Sequence, residues 1–234
     1  MAGIFFAEPR LADIYDALHS DRSDLEPFLL IVEELEPTSV VDLGCGTGTL
    51  ACLLAERGRH VVALDPAAAS IAVAKRKRAA AQVRWVVGDA SALPNLNVDL
   101  VVMSGNVGEH LADDEWAVAL ESCRDALRPG GHLVFCARDP SGESWLEWNR
   151  ESTYERVEIP DVGAVEHWLE ITDTGQRHFS FRWTFRFESD GATFDWDATF
   201  AIRRRDEIIA ALEAASFTDV KVRDDEFMFI GSSP

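Results

Sequence analysis

The sequence predicts an α/β protein: a parallel sheet covered by helices on both faces, with an antiparallel β insertion late in the chain. Three observations carry this. Between residues 38 and 137 five short apolar runs (SVVDLG, HVVALD, VRWVVGD, VDLVVMSG and HLVFCAR) alternate with mostly helical stretches. Strands that are apolar throughout and joined by helices belong to a parallel sheet buried on both sides. After Pro140 the pattern becomes alternating, and five of the seven tryptophans (Trp145, Trp148, Trp168, Trp183 and Trp196) fall between 141 and 200. The chain of 234 residues is long enough for one domain carrying an elaborate insertion.

Residues 10–19 and 24–36 read as helices, the second entered through Ser23 with Pro27 in its first turn. The five apolar runs follow as strands. KRKR at 75–78 ends a helix, where cations offset the carbonyl end of the dipole, so a solvated helix end is expected rather than an anion site. RDALRPGGHLVF supplies a helix end, a Pro-Gly-Gly turn and the fifth strand. In FSFRWTFRF (179–187) Phe179, Phe181, Trp183, Phe185 and Phe187 leave one face of a strand. Asp190-Gly191 signals a two-residue hairpin loop, which would pair Phe187 with Phe194, Phe185 with Trp196 and Phe181 with Phe200. A three-residue loop Thr174-Gly175-Gln176 adds an upstream strand, setting Ile171 opposite Phe179 and His167 opposite Trp183. The insertion is thus expected to be a meander with one aromatic face, most of it core contact, in which His167 is the single ionisable residue. A helix RDEIIAALEAAS and two strands, FTDVKVRDD and EFMFIG, close the chain.

Net charge and cysteines narrow the function. A formal charge of −19 argues against a partner held by phosphates, so no nucleic acid is expected. The four cysteines show neither CxxC nor paired spacing, which points to reduced thiols in a cytoplasmic protein without a metal site. No apolar stretch approaches the length of a membrane span, and the N-terminus has no signal-peptide pattern.

The most specific local signal is VVDLGCGTGTLA at 40–51, a strand ending in Asp42 followed by Gly44, Gly46 and Gly48 in a turn into a helix. A dinucleotide fingerprint needs its third glycine at position 49, where this chain has Thr49. The spacing suits a nucleoside without phosphates. Asp65, at the tip of the second strand and followed by Pro66, can accept both hydroxyls of a ribose. Asp89 can accept from an adenine amino group, with the Ala90 backbone at the ring edge.

Together these ordered motifs resemble the class I S-adenosylmethionine-dependent methyltransferases of the small-molecule type, over roughly residues 38–137. The resemblance implies a Rossmann-like seven-stranded sheet whose last strand runs antiparallel, and S-adenosyl-L-methionine as cofactor, leaving as S-adenosyl-L-homocysteine. It implies Gly44, Gly46 and Gly48 beside the methionine part and ribose, Asp42 near the amino group, Asp65 with Pro66 at the ribose, and Asp89 with Ala90 at adenine. Ser104 to Asn106 would line the mouth for methyl transfer, and Tyr15 in LADIYDAL would close over the cofactor. It divides the chain into a helical lid (1–37), a cofactor-binding core (38–140 and 204–234) and an acceptor-side insertion (141–203). His110, after the fourth strand, and His167, on the aromatic face, are the candidate bases, and Trp183 and Trp168 the candidate acceptor contacts. The expected activity is methylation of an oxygen or nitrogen of a small metabolite by a monomer or homodimer. A protein or nucleic-acid methyltransferase and a non-catalytic cofactor-binding protein are the alternatives.

Overall fold

The computed structural model describes residues 7–223 and 227–234. Helix α1 (Pro9–Leu18) begins with proline in its first turn and its Glu8 side chain capping the Arg10 N–H. Its stripe of Leu11, Ile14, Tyr15 and Leu18 recurs at helical spacing and faces the insertion rather than the main sheet. A single 3-10 turn, Ser23–Leu25, leads into α2 (Glu26–Leu35). That helix stops at Glu36, in the left-handed region at φ 47, where Pro37 forbids continuation.

Five strands then alternate with helices: β1 (Ser39–Leu43), α3 (Thr49–Glu56), β2 (His60–Asp65), α4 (Ala68–Ala74), β3 (Val83–Val87), β4 (Val98–Met103), α5 (Asp113–Ala126) and β5 (Leu127–Cys136). After the insertion come α7 (Arg205–Ala214), β10 (Thr218–Arg223) and β11 (Met228–Ser232). The sheet order is β10-β11-β5-β4-β1-β2-β3. All neighbours from β3 to β5 are parallel, while β11 runs antiparallel to both β5 and β10. This is the seven-stranded arrangement expected, with the reversed strand inserted between β10 and β5. The start of the expected strand EFMFIG, at Glu226, lies outside the described residues. Central β4 is buried from Leu100 to Met103, as a strand covered on both faces must be. One apolar layer packs α2 and α3 on the sheet, and a second packs α5 and α7 on its other face.

The insertion comprises α6 (Arg150–Thr153), β6 (Glu155–Ile159), β7 (Gly163–Thr174), β8 (His178–Phe187) and β9 (Thr193–Ala201). Its sheet, ordered β6-β7-β8-β9, has one strand more than the expected meander. Strand β6 carries the charged sequence ERVEI at an edge, so it lacks the apolar alternation that reveals the others. Both hairpin registers differ from expectation by two residues. Phe185 pairs with Phe194 and Trp183 with Trp196, because the loop is Glu188–Gly191 rather than Asp190-Gly191 alone. The Asp190 carboxylate accepts the Ala192 N–H and Gly191 takes φ 73, so the turn closes two residues earlier on the strand. On the other side the β7–β8 turn is Gln176-Arg177, closed by the Gly175 N–H on the His178 carbonyl, and Ile171 pairs with Phe181. An irregularity between Ile171 and Asp173 absorbs the parity change that this shorter loop would cause. Shifts of two preserve the faces, and the five aromatics of β8 do share one.

That face is core. Phe179, Phe181, Phe185 and Phe187 are buried against Leu11 and Ile14 of α1 and against Trp145, each contributing about 2 kcal/mol of apolar burial. The outer face carries cross-strand pairs, among them Arg182 bidentate on Asp197 and Thr184 donating to Asp195. Among the described residues no helix is long and apolar enough to cross a membrane.

Candidate active site

A cavity opens at the C-terminal ends of β1, β2 and β4, with an empty volume of ≈ 1130 Å³ including the open solvent at its mouth. Ligand sites commonly measure about 300–1,000 Å³. Open parallel sheets place ligands there because the loops that follow the strands converge at that edge.

The glycine loop forms its floor. Its Gly46 has φ 53, and a Cβ built there would meet no atom within 4 Å, so the backbone presents bare surface to the cavity. Gly48, at φ 76, serves a different purpose: a Cβ would lie 2.4 Å from the Trp85 ring, so this glycine lets the loop pack onto the sheet. Gly44 lines the cavity with Gly46, whereas Gly48 does not.

Two acids stand at the strand tips. Asp65 lines the cavity and accepts the Gly46 N–H on Oδ2 and the Ala67 N–H on Oδ1, each at 2.8 Å. Burial raises its pKa, partly offset by these two bonds. Asp42 is fully buried beneath the loop, and among the described residues neither of its oxygens completes a hydrogen bond. Burial, with the Asp65 charge adding to it, raises its pKa to about 7, and the Ala51 backbone N–H, close by but short of full hydrogen-bond geometry, eases this only in part. A buried carboxyl without a partner is costly and calls for a cation nearby.

The other walls come from separate stretches. Asp89 accepts from the Ser91 N–H and hydroxyl, which holds its carboxylate below the usual range, and Ala90 follows it at the cavity. Pro66, Ser104, Gly105, Val107 and His110 continue the lining. Asn106, in the left-handed region at φ 57, caps the turn that carries His110 but is not itself a wall residue. The His110 imidazole lies 4.5 Å from the Phe200 ring and 6.2 Å from Trp196, and burial lowers its pKa to about 4. Neighbouring Glu109 engages the backbone N–H and side chain of Arg138 instead.

Tyr15 reaches the cavity from α1, its hydroxyl pKa raised by burial. The helix is fastened at both ends. Asp16 accepts from Thr47 at 2.6 Å and pairs with Lys77 at 2.8 Å, Asp13 pairs with Arg76, and Arg10 grips Asp190 while lying 3.6 Å over the Phe187 ring. The KRKR run follows the last residue of α4, at the helix end expected, and two of its cations, Arg76 and Lys77, also hold the acids of α1.

Three expected residues are placed elsewhere. His167 sits on the aromatic face, with Nδ1 accepting from Trp183 at 3.3 Å and Nε2 3.6 Å from Glu155, and it does not line the cavity. Trp183 touches the site only at second remove, its ring 5.7 Å from His19, which in turn lies 4.5 Å from Tyr15. Trp168 occupies the outer face, paired with Thr184 and bonded to Glu170, with Arg150 at 4.3 Å over its ring. Strand alternation forces that placement, since its neighbours His167 and Leu169 take the inner face.

The structure adds wall residues that the motifs did not single out. Thr47 lies between two glycines of the loop and Thr49 opens α3 directly after it, both legible from their place beside the glycines. Arg22, bidentate on Asp24, enters from the link between α1 and α2, where no local pattern marks it.

Residues 40–131 match the family model described as a methyltransferase domain. The chain is 32 % identical over 131 residues to a cypemycin N-terminal methyltransferase from a Streptomyces species, covering 55 % of this chain and 54 % of that one. It is 32 % identical over 159 residues to a ubiquinone biosynthesis O-methyltransferase of Rhizobium johnstonii, covering 59 % and 62 %. The chain therefore spans roughly half to three fifths of the curated relatives it matches. Among solved structures, a sugar N-methyltransferase from a Streptoalloteichus species superposes with TM-score 0.74 at 20 % identity, covering 93 % of this chain and 92 % of that one. An amino pentose methyltransferase from Micromonospora echinaspora gives 0.71 at 21 %, with 94 % and 97 % covered. At these identities the likeness to the solved structures is one of fold.

Proposed function

We propose that this chain, a class I S-adenosylmethionine-dependent methyltransferase by its fold and by the methyltransferase domain at residues 40–131, methylates a nitrogen or oxygen of a small metabolite. The observation that carries the reading is the pairing of a bare glycine backbone at Gly46 with an unpartnered, buried Asp42 beneath it. Open space over the loop accommodates a nucleoside, and Asp42, buried beneath the loop and outside the cavity wall, would act on the positive charge of its amino acid part through the field of its carboxyl rather than by contact. The residues present therefore fit the cofactor.

Bound there, S-adenosylmethionine supplies an electrophilic methyl carbon whose leaving group is a neutral thioether. The protein's task is alignment and exclusion of water. Asp65 holds the ribose, since each of its oxygens keeps a lone pair beyond its bond to Gly46 or Ala67. Pro66 packs beside the ribose, and Asp89 and Ala90 bound the adenine. Tyr15 closes the cavity from α1, Ser104 and Gly105 shape the mouth, and Asn106 caps the turn behind them. His110 is neutral at ordinary pH and offers a lone pair to an acceptor N–H or O–H. A base so weak suits an amine, which attacks through its own lone pair and loses its proton after transfer. The acceptor enters between His110 and the insertion, in a cytoplasmic protein acting as monomer or homodimer.

Calorimetry with S-adenosylhomocysteine tests the reading. Binding in the micromolar range, abolished by Gly46→Arg in a folded variant, supports it, and absence of binding to the wild type overturns it. S-adenosylhomocysteine formed with amine acceptors but not with their hydroxyl analogues separates nitrogen from oxygen transfer.

A further inference from the structure

His110 rides on one 3-10 turn, Val107–His110, between left-handed Asn106 and extended Leu111. So short a turn has little rigidity of its own. Yet both of its flanks are gripped from a distant part of the chain. Arg203, in the link between β9 and α7, donates Nη1 to the Gly108 carbonyl at 2.8 Å and Nη2 to the Leu111 carbonyl at 2.7 Å. The same Nη2 reaches Asp113 Oδ1 at 3.1 Å. The guanidinium is 8 % exposed and lies 5.1 Å over the Trp116 ring. Strand β9 also supplies Phe200, stacked edge-on to the imidazole. The Phe200 ring beside His110 and the cation beneath its backbone thus come from one short segment, 200–203.

We propose that Arg203 is a positioning residue for the methyl-transfer site, fixing the His110 imidazole over the cavity by bridging the two carbonyls that bracket it. This rests on the reading of His110 as the group that faces the acceptor. Two carbonyls three residues apart require two donors at fixed spacing, which a planar guanidinium provides and an ammonium does not. Burial lowers the pKa of Arg203, but an arginine stays charged from so high a starting point, and Asp113 and Glu109 supply the opposing field. Through this clamp the insertion and the methyl-transfer mouth move as one piece.

The test compares wild type, Arg203→Met and Arg203→Lys by NMR of the histidine Cε1–H signals, with His110 assigned from His110→Gln, alongside thermal unfolding and calorimetry with S-adenosylhomocysteine. In both Arg203 variants the His110 signal is expected to shift and its titration midpoint to move from near 4 toward 6.5. The other histidines should stay in place, and cofactor-product affinity should change less than about threefold. Arg203→Lys keeps the charge, so it remains informative where Arg203→Met fails to fold. An unmoved His110 signal in a folded variant overturns the clamp, as does an Arg203→Lys protein indistinguishable from wild type. A wild type that binds no S-adenosylhomocysteine overturns the proposed function instead, while the histidine comparison still decides whether the clamp exists.

Discussion

Replacing Gly46 and Gly48 by alanine, one at a time, separates a glycine kept for a ligand from a glycine kept for packing. Both hold positive φ, 53 and 76, so each alanine bears the left-handed penalty of about 1 kcal/mol. At Gly46 nothing more is charged to the fold, because the added Cβ meets no atom within 4 Å. In a chain of this size a loss of about 1 kcal/mol lowers Tm by roughly 2–4 °C. At Gly48 the Cβ would stand 2.4 and 2.7 Å from ring carbons of Trp85 and 2.8 Å from the Ala74 Cβ. Ring and helix must give way, at a further cost of about 1–3 kcal/mol. The order should invert for binding. The Gly46 methyl occupies the surface on which the nucleoside lies, so affinity for S-adenosylhomocysteine is expected to fall at least tenfold, about 1.4 kcal/mol. Gly48→Ala should cost more in Tm and less in affinity at a temperature where it is folded. Differential scanning calorimetry and isothermal titration on the same preparations read both quantities. Gly46→Ala binding like wild type would refute the assignment of that loop as the cofactor floor. A melting temperature lowered more by Gly46→Ala than by Gly48→Ala would refute the packing account.

The pH dependence of stability should reveal Asp42. Its folded-state pKa, raised to about 7, means that the folded protein holds this proton more tightly than the unfolded chain. Its contribution is therefore fully present below about pH 4 and is lost as pH rises through about 7. His110, lowered to about 4, acts oppositely: its contribution is present above about pH 6.5 and is lost as pH falls through about 4. Asp42→Asn is expected to raise Tm at pH 8 and to remove the loss on the alkaline side, while weakening cofactor binding. A Tm at pH 8 below that of wild type would contradict the buried, unpaired placement. Trp168→Leu should lower stability by about 1–3 kcal/mol yet leave S-adenosylhomocysteine affinity within about twofold, since the ring packs on the outer face with Arg150 and Glu170. An affinity loss of tenfold in that variant would place the outer face in the site after all.

How much was legible depended on whether the relevant physics was local. The strands β1 to β5 announce themselves through dominantly apolar runs, because central strands such as β1 and β4 are buried on both faces and leave few polar positions to alternate. The faces of β8 follow from a period of two, and any even shift of register preserves them. Loop length has no such protection. Asp190-Gly191 marked the hairpin, but whether two residues or four close it depended on the Asp190 side chain turning back to Ala192 and outward to Arg10. The expected strands missed β6, whose charged ERVEI lacks an apolar alternation of its own and is stabilised by pairing with the following β7 and by Arg156 with the more distant Glu188.

The site divides in the same way. Its glycine loop and its strand-tip acids each lie within a few residues of a strand end, so position along the chain already placed them at one edge of the sheet. Sequence by itself determined the fold class, the place of the glycine loop and of Asp42, Asp65 and Asp89 at or beside the strand ends, and the inner face of the insertion, since each is written in short-range periodicity or spacing. Tertiary structure alone decided that His110 meets the cavity while His167 packs under Trp183, that Arg22 joins the wall, and that Arg203 holds the turn beneath His110. Those outcomes depend on which elements fold against one another, across 16 residues for His167 and Trp183 and 95 for Arg203 and Gly108, and no local pattern encodes those contacts.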